Sequence, residues 1–200
     1  SGLLQRTDSL KNYYTKMTLP DPLVPALQAL SLLKGQTALV TGANSGIGRA
    51  IAVSLGRAGA NVVVNYVVKP EEAEAVVGEI QGGGGHATAI RADVGDEAQV
   101  VAMFAEAVKA FGTVDILVSN AGMERNAPFH EMTTAQWDAV MNVNLRGAFL
   151  CAREAVREFL RRGVRPEVSV AAGKIIFISS VHELIPWAGH VNYAASKGGL

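Results

Sequence analysis

Near its C-terminal end the chain reads "VNYAASKGGL", residues 191–200, in which Tyr193 and Lys197 stand four positions apart. On a helix that spacing puts both side chains on one face. Such a pair can do a particular kind of chemistry. Taking a proton from an alcohol while hydride leaves its carbon calls for a base that works near neutral pH. A free phenol titrates near 10, too high for that task, but an ammonium beside it favours the phenolate. Ser180, near the end of "KIIFISS", adds a hydroxyl that could hold the substrate oxygen as charge develops on it. Tyr-x-x-x-Lys also arises often by chance, and serines at strand ends usually cap or turn. The pair therefore needs the rest of the chain to give it meaning.

A second cluster lies far upstream. "LVTGANSGIGRA" follows a short apolar run and opens a helix-like stretch, with Gly42, Gly46 and Gly48 spaced G-x-x-x-G-x-G. A turn of that kind needs residues without Cβ. It leaves backbone N–H groups and the positive end of a helix dipole aimed at a bound pyrophosphate. The spacing differs from the commoner G-x-G-x-x-G, and glycines also end strands for purely structural reasons.

The elements that must carry these residues are legible from the hydrophobic pattern. Short apolar runs at 37–40, 61–66, 86–92, 115–120 and 174–180 are mostly rich in β-branched residues and bounded by turns, as expected of buried parallel strands. Helix-like stretches at 45–60, 71–81 and 96–112 alternate with them. A longer one, roughly 133–162, opens with Thr133 and Gln136 at capping-box spacing. Alternation of this kind implies right-handed crossovers and one parallel sheet covered on both faces. The expected fold is α/β: a doubly wound, Rossmann-like parallel sheet in a single domain over residues 35–200. Residues 1–34, with Pro20, Pro22 and Pro25 close together, read as an N-terminal extension or arm.

Composition narrows the classes further. The chain of 200 residues is 49% hydrophobic and 18% charged, which argues against disorder. Its 18 basic and 18 acidic side chains cancel, giving no electrostatic reason for nucleic acid or an anionic membrane as partner. No apolar run approaches the length of a membrane span, and a single cysteine, Cys151, fits a reducing compartment. A cytoplasmic location is the expectation. His86, His130, His182 and His190 show no metal-ligand spacing with one another or with Cys151, so no metal is expected.

Together "TGANSGIG", "NAG" at 120–122, Ser180 and "YAASK" thirteen residues beyond it resemble the short-chain dehydrogenase/reductase family, from about Lys34 onward. The resemblance implies NAD or NADP as coenzyme. Gly42, Asn44, Ser45, Gly46, Ile47 and Gly48 would form the dinucleotide turn. Asp93 with Val94 would meet the adenine, and Asn120, Ala121 and Gly122 would line the cofactor. Tyr193 would be the general acid/base, with Lys197 favouring its ionised form and holding the nicotinamide ribose. Ser180 would orient the substrate oxygen, and Asn144 in "NVNLRGAF" would hold a water of the proton relay. Asp93 alone would otherwise read as a helix N-cap. The second strand ends in Asn65 and Tyr66 rather than in the acid that commonly binds the ribose 2′-hydroxyl, with Lys69 the nearest base. That favours NADP or dual use.

Within the family, "NAGMERNAPFHEMT", "GAFLCAREA" and "SSVHELIPW" are similar to bacterial glucose dehydrogenases. This implies oxidation of glucose at C1 to the lactone, with Glu124 and His182 beside Ser180 and Tyr193 at the sugar. A carbonyl reductase of the 3-oxoacyl type and a dinucleotide-binding fragment without turnover are the alternatives. The family continues well past the lysine, so the resemblance implies a C-terminal part beyond Leu200 and a homo-oligomer, a tetramer, when full length. The 200-residue chain alone is expected to be weakly folded or inactive. A few extra residues at 161–174 are expected to form a surface loop remote from the chemistry.

Overall fold

The computed structural model describes residues 31–200. The arm expected at 1–34 therefore lies almost wholly outside the described residues. Five strands form one parallel sheet: β1 (Thr37–Val40), β2 (Asn61–Tyr66), β3 (His86–Arg91), β4 (Ile116–Ser119) and β5 (Lys174–Phe177). Their spatial order is β3-β2-β1-β4-β5. The chain winds outward from β1 to β3, then returns to place β4 on the other flank of β1. That reversal opens a crevice beyond the carboxyl ends of β1 and β4, where doubly wound sheets bind their ligands.

Alternation along the strands explains the two faces. Ala38 and Val40 of β1, with Val62 and Val64 of β2, point to one side. There they pack on Ala52 and Val53 of α1 (Gly46–Arg57) and on Val76 and Ile80 of α2 (Pro70–Gly82). Leu39, Val63 and Leu117 point to the other side. They meet Met103 and Phe104 of α3 (Glu97–Phe111) and Leu150 and Phe159 of α5 (Gly147–Arg162). Burying both faces is why these strands read as continuous apolar runs rather than as alternating ones.

The long helix expected over 133–162 is divided. Its first part, α4 (Thr134–Met141), starts on the anticipated capping box: Thr133 Oγ1 accepts from Gln136 N–H at 3.2 Å, and Gln136 Oε1 accepts from Thr133 N–H at 2.9 Å. Residues Asn142–Arg146 then form a π-helical turn, closed by Gly147 N–H donating to Asn142 C=O, before α5 resumes the α-helical pattern. Such turns concentrate at functional sites. This one carries Asn144, 2% exposed, toward the crevice. The last helix, α6 (Val191–Gly199), carries Tyr193 and Lys197 and follows a short 3₁₀ turn at Val181–Glu183.

At the opposite, amino-terminal end of the strands, the loop at 161–174 is tied down. Buried Asp115 accepts from Thr37 N–H and pairs with Arg162 and Arg165, while Lys174 Nζ donates to Gln36 and Ser169. The loop thus stands away from the crevice, as expected.

Candidate active site

The glycine turn leaves β1 at Thr41, whose buried hydroxyl links two loops. Thr41 Oγ1 accepts from the N–H groups of Asn120 at 2.9 Å and Ala121 at 3.0 Å. In return Asn120 Nδ2 donates to Thr41 C=O at 2.9 Å and to Gly42 C=O at 3.1 Å. The turn after β1 and the "NAG" segment after β4 are therefore one hydrogen-bonded unit. Gly48 lies where that unit meets α1. A Cβ there would stand 2.3 Å from Gly42 O and 2.5 Å from Asn120 Nδ2, so no larger residue fits without moving both. Gly46 has a different reason. Its φ of +55° is left-handed, and the space beyond it is open. Ser45 makes no side-chain cap to α1, leaving the first-turn amides directed outward.

This turn forms one wall of a 660 Å³ cleft. Gly42, Asn44, Ser45, Ile47 and Gly48 contribute to it from one side, and Asp93, Val94, Asn120, Ala121 and Gly122 from the others. Ten of the residues anticipated for the cofactor thus meet in one place. Asn65 and Tyr66 do not line it. Asn65 is 1% exposed and its amide is spent on backbone: Oδ1 accepts from Gly42 N–H at 3.2 Å, and Nδ2 donates to Ala92 C=O at 3.0 Å and to Ile90 C=O at 3.3 Å. Its part is to hold the glycine turn against the sheet. Tyr66 packs against the core under α1 and α2, and Val67 and Val68 face the cleft in their place. Gly46 does not line the cleft but gives the turn its shape. Asp93 accepts from Gly95 N–H at 2.8 Å. The N-cap of α3 is Asp96 instead, accepting from Ala98 and Gln99 N–H.

The cleft runs into a smaller hollow of 200 Å³ that shares Ile47, Asn120, Gly122 and Met123 and adds Tyr193 and Lys197. Lys197 Nζ donates to Ile178 C=O at 2.7 Å and lies 5.7 Å from the centroid of the Tyr193 ring. Only 5% of Lys197 is exposed, and this burial pushes its ammonium below the usual lysine range. An ammonium has three N–H donors, and Ile178 uses one. The others are free among the described residues to meet ribose hydroxyls or a phenolate.

Two residues absent from the expected set hold this helix in place. Asn192 and Ser196, both fully buried, share the face beside Tyr193 and Lys197. Asn192 Nδ2 donates to Arg125 C=O at 2.8 Å and to Gln136 C=O at 3.2 Å. Ser196 Oγ donates to Tyr193 C=O at 2.7 Å and accepts from Asn144 Nδ2 at 3.1 Å. A second polar pair at i, i+4 within "NYAASK" was the available signal for them.

Asn144 itself is committed. Oδ1 accepts from Met123 N–H at 2.8 Å, and Nδ2 donates to Met123 C=O at 3.0 Å as well as to Ser196. Both donors of its amide are thus used, and Oδ1 keeps one lone pair. The side chain joins the π turn, the segment after β4 and α6.

Ser180 does not line the hollow; Ser179 does. Ser180 Oγ accepts from His182 N–H at 3.2 Å, which starts the 3₁₀ turn and leaves its own proton free to donate. Ser179 Oγ donates its one proton to Glu183 and lies 3.5 Å from Lys197 C=O. Glu124 stands at the mouth of the hollow, held by Asn126 Nδ2 at 3.1 Å, with His190 Nε2 at 3.6 Å. His182, Trp187 and His190 stack beside Tyr193: Trp187 and His190 have ring centroids 3.7 Å apart, and His182 meets Tyr193 edge-on at 6.4 Å. Cys151 is no candidate nucleophile, since burial pushes its thiol up to about 12. Among the described residues no three metal-ligating side chains come together, and no helix is long and apolar enough to cross a membrane.

Comparison with known proteins agrees with this geometry. The chain is 44% identical over 168 residues to 3beta-hydroxysteroid dehydrogenase 1 of Eggerthella lenta, covering 84% of this chain and 62% of that protein. A solved dehydrogenase/reductase from Sinorhizobium meliloti 1021 superposes with a TM-score of 0.76 at 42% identity, over 86% of this chain and 66% of that one. The chain thus spans somewhat less than two thirds of the length of these relatives. With the short chain dehydrogenase pattern matching residues 36–200, the protein belongs to the short-chain dehydrogenase family.

Proposed function

We propose that the protein is an NAD(P)-dependent oxidoreductase that oxidises a sugar hemiacetal, glucose at C1, to the lactone. The observation that carries this reading is the continuity of the glycine cleft with the hollow holding Tyr193 and Lys197. The cleft fits a dinucleotide: Gly46 opens onto free space at a helix N-terminus, and Gly48 admits no Cβ. Bound there, the nicotinamide coenzyme would supply the hydride acceptor.

The residues of the chain then do the proton chemistry. The Tyr193 phenolate takes the proton of the C1 hydroxyl as the C1–H bond breaks and the C1=O bond forms. Lys197, held by Ile178 C=O, places its ammonium 5.7 Å from the centroid of the Tyr193 ring. The free hydroxyl proton of Ser180 would donate to the substrate oxygen, and Asn144 keeps α6 in register through Ser196. Glu124 and His182 would take up sugar hydroxyls at the mouth, where each must find a partner once desolvated. An exposed apolar hollow along α4 and α5, lined by Met141, Leu145 and Phe149, supports a homo-oligomer.

A second reading has a specific observation behind it. A relative of 44% identity is named for a hydroxysteroid, and a ring secondary alcohol needs the same proton and hydride chemistry. Coenzyme reduction followed at its near-ultraviolet absorbance decides between the two. The full-length protein is assayed with glucose, a 3β-hydroxysteroid and, in reverse, an acetoacetyl thioester. Turnover of glucose alone supports the sugar reading, and turnover of the steroid alone replaces it. No turnover of any alcohol, with Tyr193 intact, refutes the oxidoreductase reading.

A further inference from the structure

We propose that the adenosine end of the cleft selects a free ribose 2′-hydroxyl over a 2′-phosphate, and that Asn44 and Glu72 make the selection. The proposal rests on the dinucleotide reading above and specifies which coenzyme that site takes. The end of β2 alone, lacking an acid, leans toward NADP. The next helix changes the balance.

After Tyr66 the chain presents Val67 and Val68 to the cleft, both exposed and neither able to read a hydroxyl or a phosphate through its side chain. Opposite them stands Asn44. Its Nδ2 donates to Glu72 Oε2 at 3.1 Å and, more weakly, to Val68 C=O at 3.5 Å. A carboxylate and a carbonyl can only accept, so both amide protons are committed to them. The other end of the amide, Oδ1, is therefore the atom left for the cleft. It is an acceptor. It suits a hydroxyl donor, and an acceptor at that point disfavours a dianion.

Lys69 is one cation that could have answered a 2′-phosphate, and Glu72 holds it; Arg91, whose Nε donates to Val67 C=O at 3.0 Å, stands at the same turn. Lys69 Nζ lies 2.5 Å from Glu72 Oε1, and Lys69 does not line the cleft. Lys69 has φ of 61°, the only positive value at a non-glycine among the described residues. That backbone sits at the N-cap of α2, three residues before the acid it pairs with. Glu72 thus does two things: it fixes which face of Asn44 looks into the cleft, and it pairs with Lys69.

The test is calorimetric titration of the full-length protein with NAD, NADP and adenosine 2′-phosphate, for the parent and three variants at partly or fully exposed positions. The parent should bind NAD at least about 10-fold more tightly than NADP. Glu72→Ala frees both the Asn44 amide and Lys69, and should cut that preference by about 10-fold, chiefly through tighter NADP and adenosine 2′-phosphate. Glu72→Gln removes the charge but keeps an acceptor for Asn44, and should fall between. Lys69→Met should leave the preference for NAD as large as in the parent. A parent that prefers NADP, an unchanged ratio in Glu72→Ala, or a Lys69→Met variant that loses NADP selectively would each overturn the proposal. A parent that binds neither dinucleotide would overturn the cofactor reading itself, a distinguishable result.

Discussion

Replacing Asn144 by alanine tests whether this side chain acts by position. The substitution removes three hydrogen bonds: one from Met123 N–H, one to Met123 C=O and one to Ser196 Oγ. The last is buried, and the two to Met123 are partly buried, so water can replace part of what is lost there. Leaving a buried donor or acceptor unpaired costs about 1–3 kcal/mol. With the partial compensation, the sum is about 3 kcal/mol. For a domain of this size each kcal/mol lowers the melting temperature by about 2–4 °C, so a fall of about 6–12 °C is expected. Urea unfolding of the full-length protein, followed through Trp137 and Trp187 fluorescence, gives the free energy directly. Because Ser196 precedes Lys197 and holds Tyr193 C=O, α6 should shift, and a misplacement of about 1 Å costs about 100-fold in kcat/KM. Asn144→Asp supplies a near-isosteric control. It keeps the acceptor for Met123 N–H but loses both donors, and should also destabilise. A variant Asn144→Ala within about 1 kcal/mol of the parent and fully active would refute the positioning argument. Loss of rate with unchanged stability would instead return Asn144 to a water-holding role.

Other perturbations follow from the same geometry. Gly48→Ala gains about 1 kcal/mol of helix propensity but forces a methyl within 2.3 Å of Gly42 O. It should weaken dinucleotide binding by more than about 10-fold in calorimetry, and unchanged affinity would mean the turn yields freely. Tyr193→Phe should abolish turnover while leaving coenzyme binding within about 3-fold of the parent, since the phenol acts on the substrate proton; retained turnover in the coenzyme-reduction assay would remove Tyr193 from the chemistry. Glu124→Ala should raise KM for a polyol substrate about 10-fold with little change in kcat, the signature of lost uniform binding, and an unchanged KM would take Glu124 out of the substrate site. Lys197 carries a lysine pKa lowered by burial, so the folded state binds fewer protons than the unfolded chain just below pH 10.5. The parent should therefore gain stability, relative to Lys197→Met, as pH rises through the folded pKa toward 10.5. Urea unfolding between pH 8 and 10 measures this, and a difference that falls with pH would contradict the assigned burial.

Much of the architecture was legible from local pattern because the physics that makes a buried parallel strand is itself local. The runs at Thr37–Val40 and Asn61–Tyr66 were located to the residue by apolarity and β-branching, and the capping box at Thr133 marked the start of α4. The break at Asn142–Arg146 left no such mark. A π turn is set by what Asn144 must reach, not by the propensities of its own residues. The same holds for Asn65, which sequence order places at the adenosine site. Only the packing of β2 against β3 shows that its amide is consumed by Ala92 and Ile90 and turned under the glycine loop.

The chemistry divides along the same line. Residue type and spacing alone determine that a phenol, an ammonium and a glycine-rich turn exist in this chain, because each is an intrinsic property of a side chain or of a missing one. Which groups are available for that chemistry is a matter of who else has claimed their donors and acceptors, and that only the tertiary structure decides. Ser196, Asn192 and Asn144 are spent on holding Tyr193 and Lys197. Ser180 caps a turn and keeps one proton. Lys69 is occupied by Glu72, brought back by the turn into α2, and Asn44 is turned by the same carboxylate. Hydrogen bonds saturate, and saturation depends on neighbours that lie far apart in the chain.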